Sequence, residues 1–214
     1  MKKPVLLFLG ILAAAALACS MTGSATPTDP NILFKDDFSD TNSGWDQVNA
    51  ANGVTDYTDG AYRIWVNKTQ YDAWANPGKN FTGDVIVEVD ATKKAGPDQN
   101  DFGVICRYVD ISNFYFFQIT SDGYAVIGKQ TDGNQSYISG EEKLVPAAAV
   151  HQGDATNHIR ADCTGDTLTL FVNGDQTLSA TDSDHKSGDV GLIAGTFDKA
   201  GTDILFDNFV VRKP

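Results

Sequence analysis

From Asn31 onward apolar and polar residues alternate with a period of two, and no stretch of a dozen residues carries a sustained 3.6-residue apolar repeat. Val85-Ile86-Val87-Glu88-Val89-Asp90 shows the pattern plainly. Its three valines share one face, while Ile86, Glu88 and Asp90 share the other, as in a half-buried strand. Similar runs are Tyr62 to Val66, Phe102 to Tyr108, Phe114 to Thr120, Tyr124 to Lys129, Asn157 to Cys163, Thr167 to Val172, Val190 to Phe197 and Ile204 to Arg212. Ser121-Asp122-Gly123, Asp132-Gly133-Asn134, Thr164-Gly165-Asp166 and Asn173-Gly174 fall between them. Such residues tolerate the positive φ of tight hairpins. The spacing predicts an all-β sandwich or barrel, and Asn31 to Pro214 suits one large jelly-roll sandwich with no linker dividing it. Within Glu141 to Gly153, Pro146 to Val150 is compatible with a single helical turn at a sheet edge.

The first thirty residues follow a different pattern. Lys2 and Lys3 precede an apolar run from Val5 to Leu17, shorter than the roughly 20 residues that span a bilayer. The run ends in Ala16-Leu17-Ala18-Cys19, which resembles a bacterial lipoprotein signal with Cys19 as the lipidated residue; an ordinary secretory signal cut at or after Ala18 is the alternative. Residues 1–18 are therefore expected to be a signal peptide, residues 19–30 a flexible tether, and residues 31–214 the folded domain. The protein is expected to be exported and lipid-anchored to the bacterial cell membrane, facing outside the cytoplasm. More than one acyl chain gives a stable anchor where a single chain is marginal.

Composition adds charge to this picture. The chain has 28 acidic residues against 16 basic, a net charge of -12, and only Glu88, Glu141 and Glu142 are glutamates. Loss of Lys2 and Lys3 with the signal makes the charge more negative still. Such a surface repels phosphate backbones, which argues against nucleic acid as a partner. With Cys19 assigned to lipid, Cys106 and Cys163 remain, each alternating with apolar neighbours, in a compartment that permits pairing. Either they form a bridge across a loop of roughly 58 residues, which the chain-entropy model values at about 4 kcal/mol, or they are two buried thiols.

Several segments resemble the concanavalin A-like lectin/glucanase superfamily, in its laminin-G-like and 3-keto-disaccharide-hydrolase-like branches. They are Leu33 to Asp40 with Ser43-Gly44-Trp45, Asp101 to Tyr108 with Asn113 to Phe117, Leu168 to Gly174, Gly188 to Gly195, and Phe206 to Phe209. The resemblance implies a two-sheet antiparallel jelly roll with its first and last strands paired. It also implies glycan binding on or beside the concave face in many members, and glycoside hydrolysis in some. Fold motifs of this kind do not specify an activity.

Laminarinase-type members project three carboxylates from one strand. Glu88-Val89-Asp90 matches the first half of that motif, but Ala91, Thr92 and Lys93 follow where the second glutamate belongs. Glu88 and Asp90 are thus weak catalytic candidates, and a solvated strand face is their simpler reading. His151, His158 and His185 lack metal-ligand spacing, and no Gly-x-Ser-x-Gly elbow is present. Sugar rings stack on aromatic side chains, so Trp65, Tyr71, Trp74 and Trp45 are candidate platforms, packing under loops being the alternative. Trp65 alternates with Arg63 and Asn67, and Trp74 with Asp72 and Asn76. Arg107, Gln118 and Lys129, on successive predicted strands, are candidates for the polar edge. Jelly-roll glucanases often hold a structural calcium near the paired first and last strands, where Asp36, Asp37 and Asp207 are the candidate oxygen donors. Edge-strand aspartates that discourage sheet association are the alternative. Three functions follow in order: a tethered glycan-binding domain, an envelope interaction domain without a sugar ligand, and a glycoside hydrolase.

Overall fold

The computed structural model describes residues 29–141 and 143–214. The expected signal peptide, the lipidation site Cys19 and the tether as far as residue 28 lie outside the described residues. Sixteen strands are found among the described residues: β1 (Ile32–Asp36), β2 (Val48–Ala50), β3 (Gly53–Thr58), β4 (Ala61–Val66), β5 (Tyr71–Ala75), β6 (Val85–Ala95), β7 (Asp101–Asp110), β8 (Asn113–Thr120), β9 (Tyr124–Thr131), β10 (Asn134–Tyr137), β11 (Val145–Pro146), β12 (Thr156–Thr164), β13 (Thr167–Val172), β14 (Asp175–Thr181), β15 (Asp189–Thr196) and β16 (Thr202–Arg212). No helix occurs among the described residues; Ala147 to Val150 forms a turn closed by Val150 N–H donating to Ala147 O at 3.1 Å.

The strands form two antiparallel sheets. The first runs β14-β13-β12-β6-β16-β4-β3-β2, with β1 beside β4 along β16. The second runs β10-β9-β8-β7-β15-β5, with β11 beside β10 along β9. All nine strands predicted from alternation are present, most lengthened by a residue or more at an end. Hairpins turn where the sequence places Asp-Gly and Asn-Gly: Asp132 and Gly133 take φ of 51° and 78°, Asn173 and Gly174 of 52° and 92°. Those values fit the two-residue turns whose twist matches the flanking strands.

Alternation directs one set of side chains between the sheets. Val85, Val87, Val89, Ile159, Ala161, Leu168, Leu170, Phe206 and Val211 from the first sheet meet Phe102, Val104, Phe117, Ile119, Ile127 and Leu192 from the second. Each fully buried large apolar side chain contributes about 1.5–3 kcal/mol relative to exposure, so this layer dominates the stability. Cys106 of β7 and Cys163 of β12 are joined by a disulfide across the layer. The first and last strands pair, Asp36 opposite Phe209 and Ile32 opposite Arg212.

Candidate functional site

The second sheet buries a separate apolar group on its outward face: Ile105, Phe114, Phe116, Val126 and Ile193, with Trp74, Tyr108, Tyr137 and Leu144 packed against them. These residues alternate with those facing the core, so the sheet is apolar on both sides. The five are almost wholly buried, so what this face presents outward is the half-buried Trp74, Tyr108, Tyr137 and Leu144 that cover them.

Register sets the rows on this face. One row crosses Asp72, Gly195, Asp101, Thr120 and Tyr124, and the next crosses Trp74, Ile193, Gly103, Gln118 and Val126. Gly195 lies between the strands that carry Asp72 and Asp101. A Cβ at Gly195 would collide with Oδ1 of both, so the two carboxyl groups converge over this one residue. Gly128 leaves the same kind of room, and the Phe116 ring lies over it.

Two hollows open on the face. One of about 230 Å³ is lined by Asp72, Trp74, Phe114, Phe116, Gln130 and Gln135, together with Gln70, Tyr71 and Ile193. The other, of about 400 Å³, lies at Thr120, Asp122, Tyr124 and Leu144. Asp101 stands in its row between Asp72 at the first hollow and Thr120 at the second. Trp74 and Phe114 are 5.5 Å apart by ring centroid, and Phe116 and Tyr137 6.2 Å. These spacings suit tilted or edge-on aromatic packing.

Polar, under-bonded groups are buried in the sheet beside these hollows. Burial pushes the Asp72 carboxyl up to about 6. Burial first, and the nearby Asp72 charge second, holds Asp101 well above the usual carboxylate range. Burial, Asp101 and Asp72 together push the Tyr137 hydroxyl up to about 12, which puts this ring within reach of the pair's field. Asp101 is 4% exposed and Gln118 0%. Among the described residues, neither Oδ1 of Asp101 nor either terminal atom of the Gln118 amide has a hydrogen-bond partner. Buried groups left unpaired cost about 1–3 kcal/mol each, so a cluster of them demands an explanation.

Of the residues singled out from sequence, Trp74 and Gln118 meet on this face. Tyr71 only borders the smaller hollow, and the others go elsewhere. Arg107 does not line the cleft: a bulge after Cys106 turns its backbone to φ 53°, and the side chain, 2% exposed, is buried. It donates to the carbonyls of His185 (3.0 Å), Cys163 (3.2 Å) and Gly165 (2.8 Å) and to Asp84 (3.2 Å). Lys129 shares its strand face with the core residues Ala125 and Ile127, and pairs with Asp182 (2.5 Å) and Asp184 (2.6 Å). Tyr71 points opposite to Asp72 and Trp74, packs against the main core, and lines a hollow of about 210 Å³ beside β2 and β3. Trp65 belongs to the other sheet, with the Arg63 guanidinium 5.8 Å from its ring. Trp45 is core, its indole N–H donating to Asp36 Oδ2 at 2.9 Å.

Glu88 and Asp90 lie on the outward face of the first sheet, away from the cleft. Glu88 is held by Arg212, with Arg160 at 3.8 Å, and Asp90 by His158 (2.8 Å) and Asn208 (3.0 Å). The expected calcium donors do not assemble, and no three acidic, His or Cys side chains form a metal cluster among the described residues. The Asp36 oxygens accept from Phe38 N–H, Ser43 and Trp45; Asp37 caps Ser39; Asp207 caps Asn208. Sequence reasoning missed the Asp72 and Asp101 pair. Its only signal was the alternation of Asp72 with Trp74.

The sequence matches no family model and no curated protein. Solved structures do resemble it. The carbohydrate binding module CBM66 from Bacillus subtilis is 19% identical with a TM-score of 0.64, over 79% of this chain and 96% of that one. A Bacillus subtilis protein of unknown function with a galectin-like fold is 10% identical at 0.63, over 86% and 97%. The Bacillus licheniformis beta-glucanase is 13% identical at 0.59, over 85% and 98%. The fold is a concanavalin A-like, two-sheet antiparallel jelly roll.

Proposed function

We propose that this jelly roll binds carbohydrate on the outward face of its second sheet, and that the chain is exported and held to a membrane through lipid on Cys19. The observation that carries the binding is the convergence of Trp74, Phe114 and Phe116 with Asp72 at one hollow, on a sheet face whose neighbouring positions Asp101 and Gln118 are buried and unpartnered. Apolar walls with a few converging polar groups are the usual build of a ligand site. A sugar offers the matching chemistry, an apolar C–H face for the rings and hydroxyls for the polar atoms. The hollow is smaller than the 300–1,000 Å³ typical of drug-sized ligands. It suits one sugar ring, with the rest of a chain running along the face toward Tyr124. The jelly-roll neighbours named as a carbohydrate-binding module and a glucanase support the reading.

Binding is favoured over hydrolysis. Retaining glycosidases hold their two carboxyl groups about 5–5.5 Å apart and inverting ones about 6.5–9.5 Å, whereas Asp72 and Asp101 crowd a single glycine. Glu88 is engaged by Arg212 and Arg160 on the opposite sheet.

A glycan array probed with the full-length chain tests this. Retention of at least one glycan without turnover, weakened tenfold or more by Trp74→Ala and unchanged by Trp65→Ala, is the expected result. A blank array, or loss on Trp65→Ala alone, overturns it. Radiolabelled palmitate should enter the wild type and not Cys19→Ala; equal labelling would remove the anchor.

A further inference from the structure

Resting on that reading, we propose that the Asp72–Asp101 pair makes the cleft selective for an amino sugar, its protonated amine contacting Asp72 with Asp101 behind it. The first support is the pair's lack of a counter-charge. Four half-buried carboxylates elsewhere meet a cation, Asp203 with Arg63, Asp182 with Lys129, Asp162 with Arg160 and Glu88 with Arg212, and the buried Asp36 and Asp189 accept from neutral N–H or O–H donors, whereas Asp101 Oδ1 has neither. Among the described residues no lysine or arginine is within ion-pair distance of Asp72 or Asp101, and no cation contributes to the shift of either. Two carboxyl groups over one glycine cannot both ionise at low cost without a positive partner.

The second support is independent of the acids. Gln118, wholly buried one strand beyond Asp101 and diagonal to it across the β7–β8 pairing, leaves both its amide oxygen and its amide nitrogen unpartnered. Diagonal neighbours on one sheet face are within reach of long side chains. Asp101 Oδ1 and the Gln118 amide oxygen are thus two unpartnered acceptors beside Asp72, of the kind an ammonium group's three donors meet, while the Gln118 amide nitrogen is a donor left for a neighbouring hydroxyl.

The walls and the field agree. Cations are attracted to ring faces within about 6 Å, most strongly to indole, and Trp74 borders the same hollow as Asp72. A net charge of -12 draws cationic ligands and repels uronic or sulfated ones. N-acetylation of the amine removes both the charge and two of its three donors, so the pair discriminates between the free and the acetylated sugar.

Calorimetry with the full-length chain, near pH 6 and at low salt, compares three oligosaccharides of equal length: chitosan, its N-acetylated form, and an unsubstituted β-glucan. Chitosan should bind at least tenfold tighter than the other two, and the preference should shrink with added salt. Asp72→Asn should abolish the preference while leaving weak binding to all three, whereas Trp74→Ala should weaken all three alike. Equal or tighter binding of the acetylated or neutral oligomer overturns the amine assignment and leaves carbohydrate binding standing. A persistent chitosan preference in a folded Asp72→Asn variant also overturns it. No binding to these three oligomers or to any glycan on the array overturns the underlying carbohydrate reading as well.

Discussion

Replacing Asp72 by Asn keeps the shape of the side chain and removes one ionisable member of the pair. In the folded chain burial lifts this carboxyl from 3.8 to about 6. The folded state therefore holds the proton more tightly than the unfolded state does, and stability falls as pH rises from roughly 4 to 6. Above that window the wild type carries the whole penalty. A rise of about two units corresponds to about 3 kcal/mol, at roughly 1.4 kcal/mol per unit. Asn has no proton to lose, so the variant escapes the penalty at neutral pH and gains nothing at pH 4. Asp189, which burial also raises to about 6, titrates in the same window but is common to both proteins, so it cancels in the comparison. Urea unfolding of the full-length chain with its disulfide intact, at about pH 4 and pH 7, measures the effect. Relative to the wild type, Asp72→Asn should be more stable at pH 7 than at pH 4 by about 2–3 kcal/mol. A difference that does not change with pH would refute the reasoning, because it would mean that the pair is not held protonated by the fold. Asp101→Asn should behave in the same sense, and the double variant should gain less than the sum, since either neutral amide already relieves its neighbour.

Reduction of the Cys106–Cys163 bridge, or its replacement by two alanines, should lower unfolding free energy by up to about 4 kcal/mol; a loss under about 1 kcal/mol in urea melts would show that the packed layer alone holds the sheets. Arg107→Ala strips four acceptors of a charged donor at one end of the sandwich and should cost about 3–5 kcal/mol, without altering glycan affinity in the fraction that remains folded. Changed affinity in that folded fraction would return Arg107 to the binding surface.

The strands that were legible in sequence are the interior ones, because burial on one face imposes the period-two pattern. β12 and β13 alternate cleanly between buried and accessible positions, and β6 does so from Val87 to Lys93. Strands β2, β10 and β14 escaped the same reading. They sit at the edges of the sheets, are largely exposed, and carry Asn, Gln, Ser and Thr where an interior strand carries Val and Ile. Parity failed at Arg107 for a different reason. A single bulge reverses which side of the strand a residue faces, and nothing in Cys106-Arg107-Tyr108 announces it. Gln118, on a regular strand, fell on the face that counting assigns, and so did Trp74. The acid pair was hidden because Asp72 and Asp101 are brought together by β15, a strand from a distant part of the sequence, whose Gly195 leaves the space they share.

The pairing of β1 with β16 has a mechanical consequence. Among the described residues β1 pairs with β16 and with no other strand, and Lys213 N–H closes the ladder on Asn31 O at 2.9 Å. Any pull delivered through the chain ahead of Ile32 therefore loads the first sheet. It crosses to the second sheet through the apolar layer, the disulfide between Cys106 and Cys163, and the connections that carry the chain from one sheet to the other, the earliest in sequence between β4 and β5. The cleft lies on the far side of that layer, so tension strips β1 before it distorts the face that would be gripping a ligand.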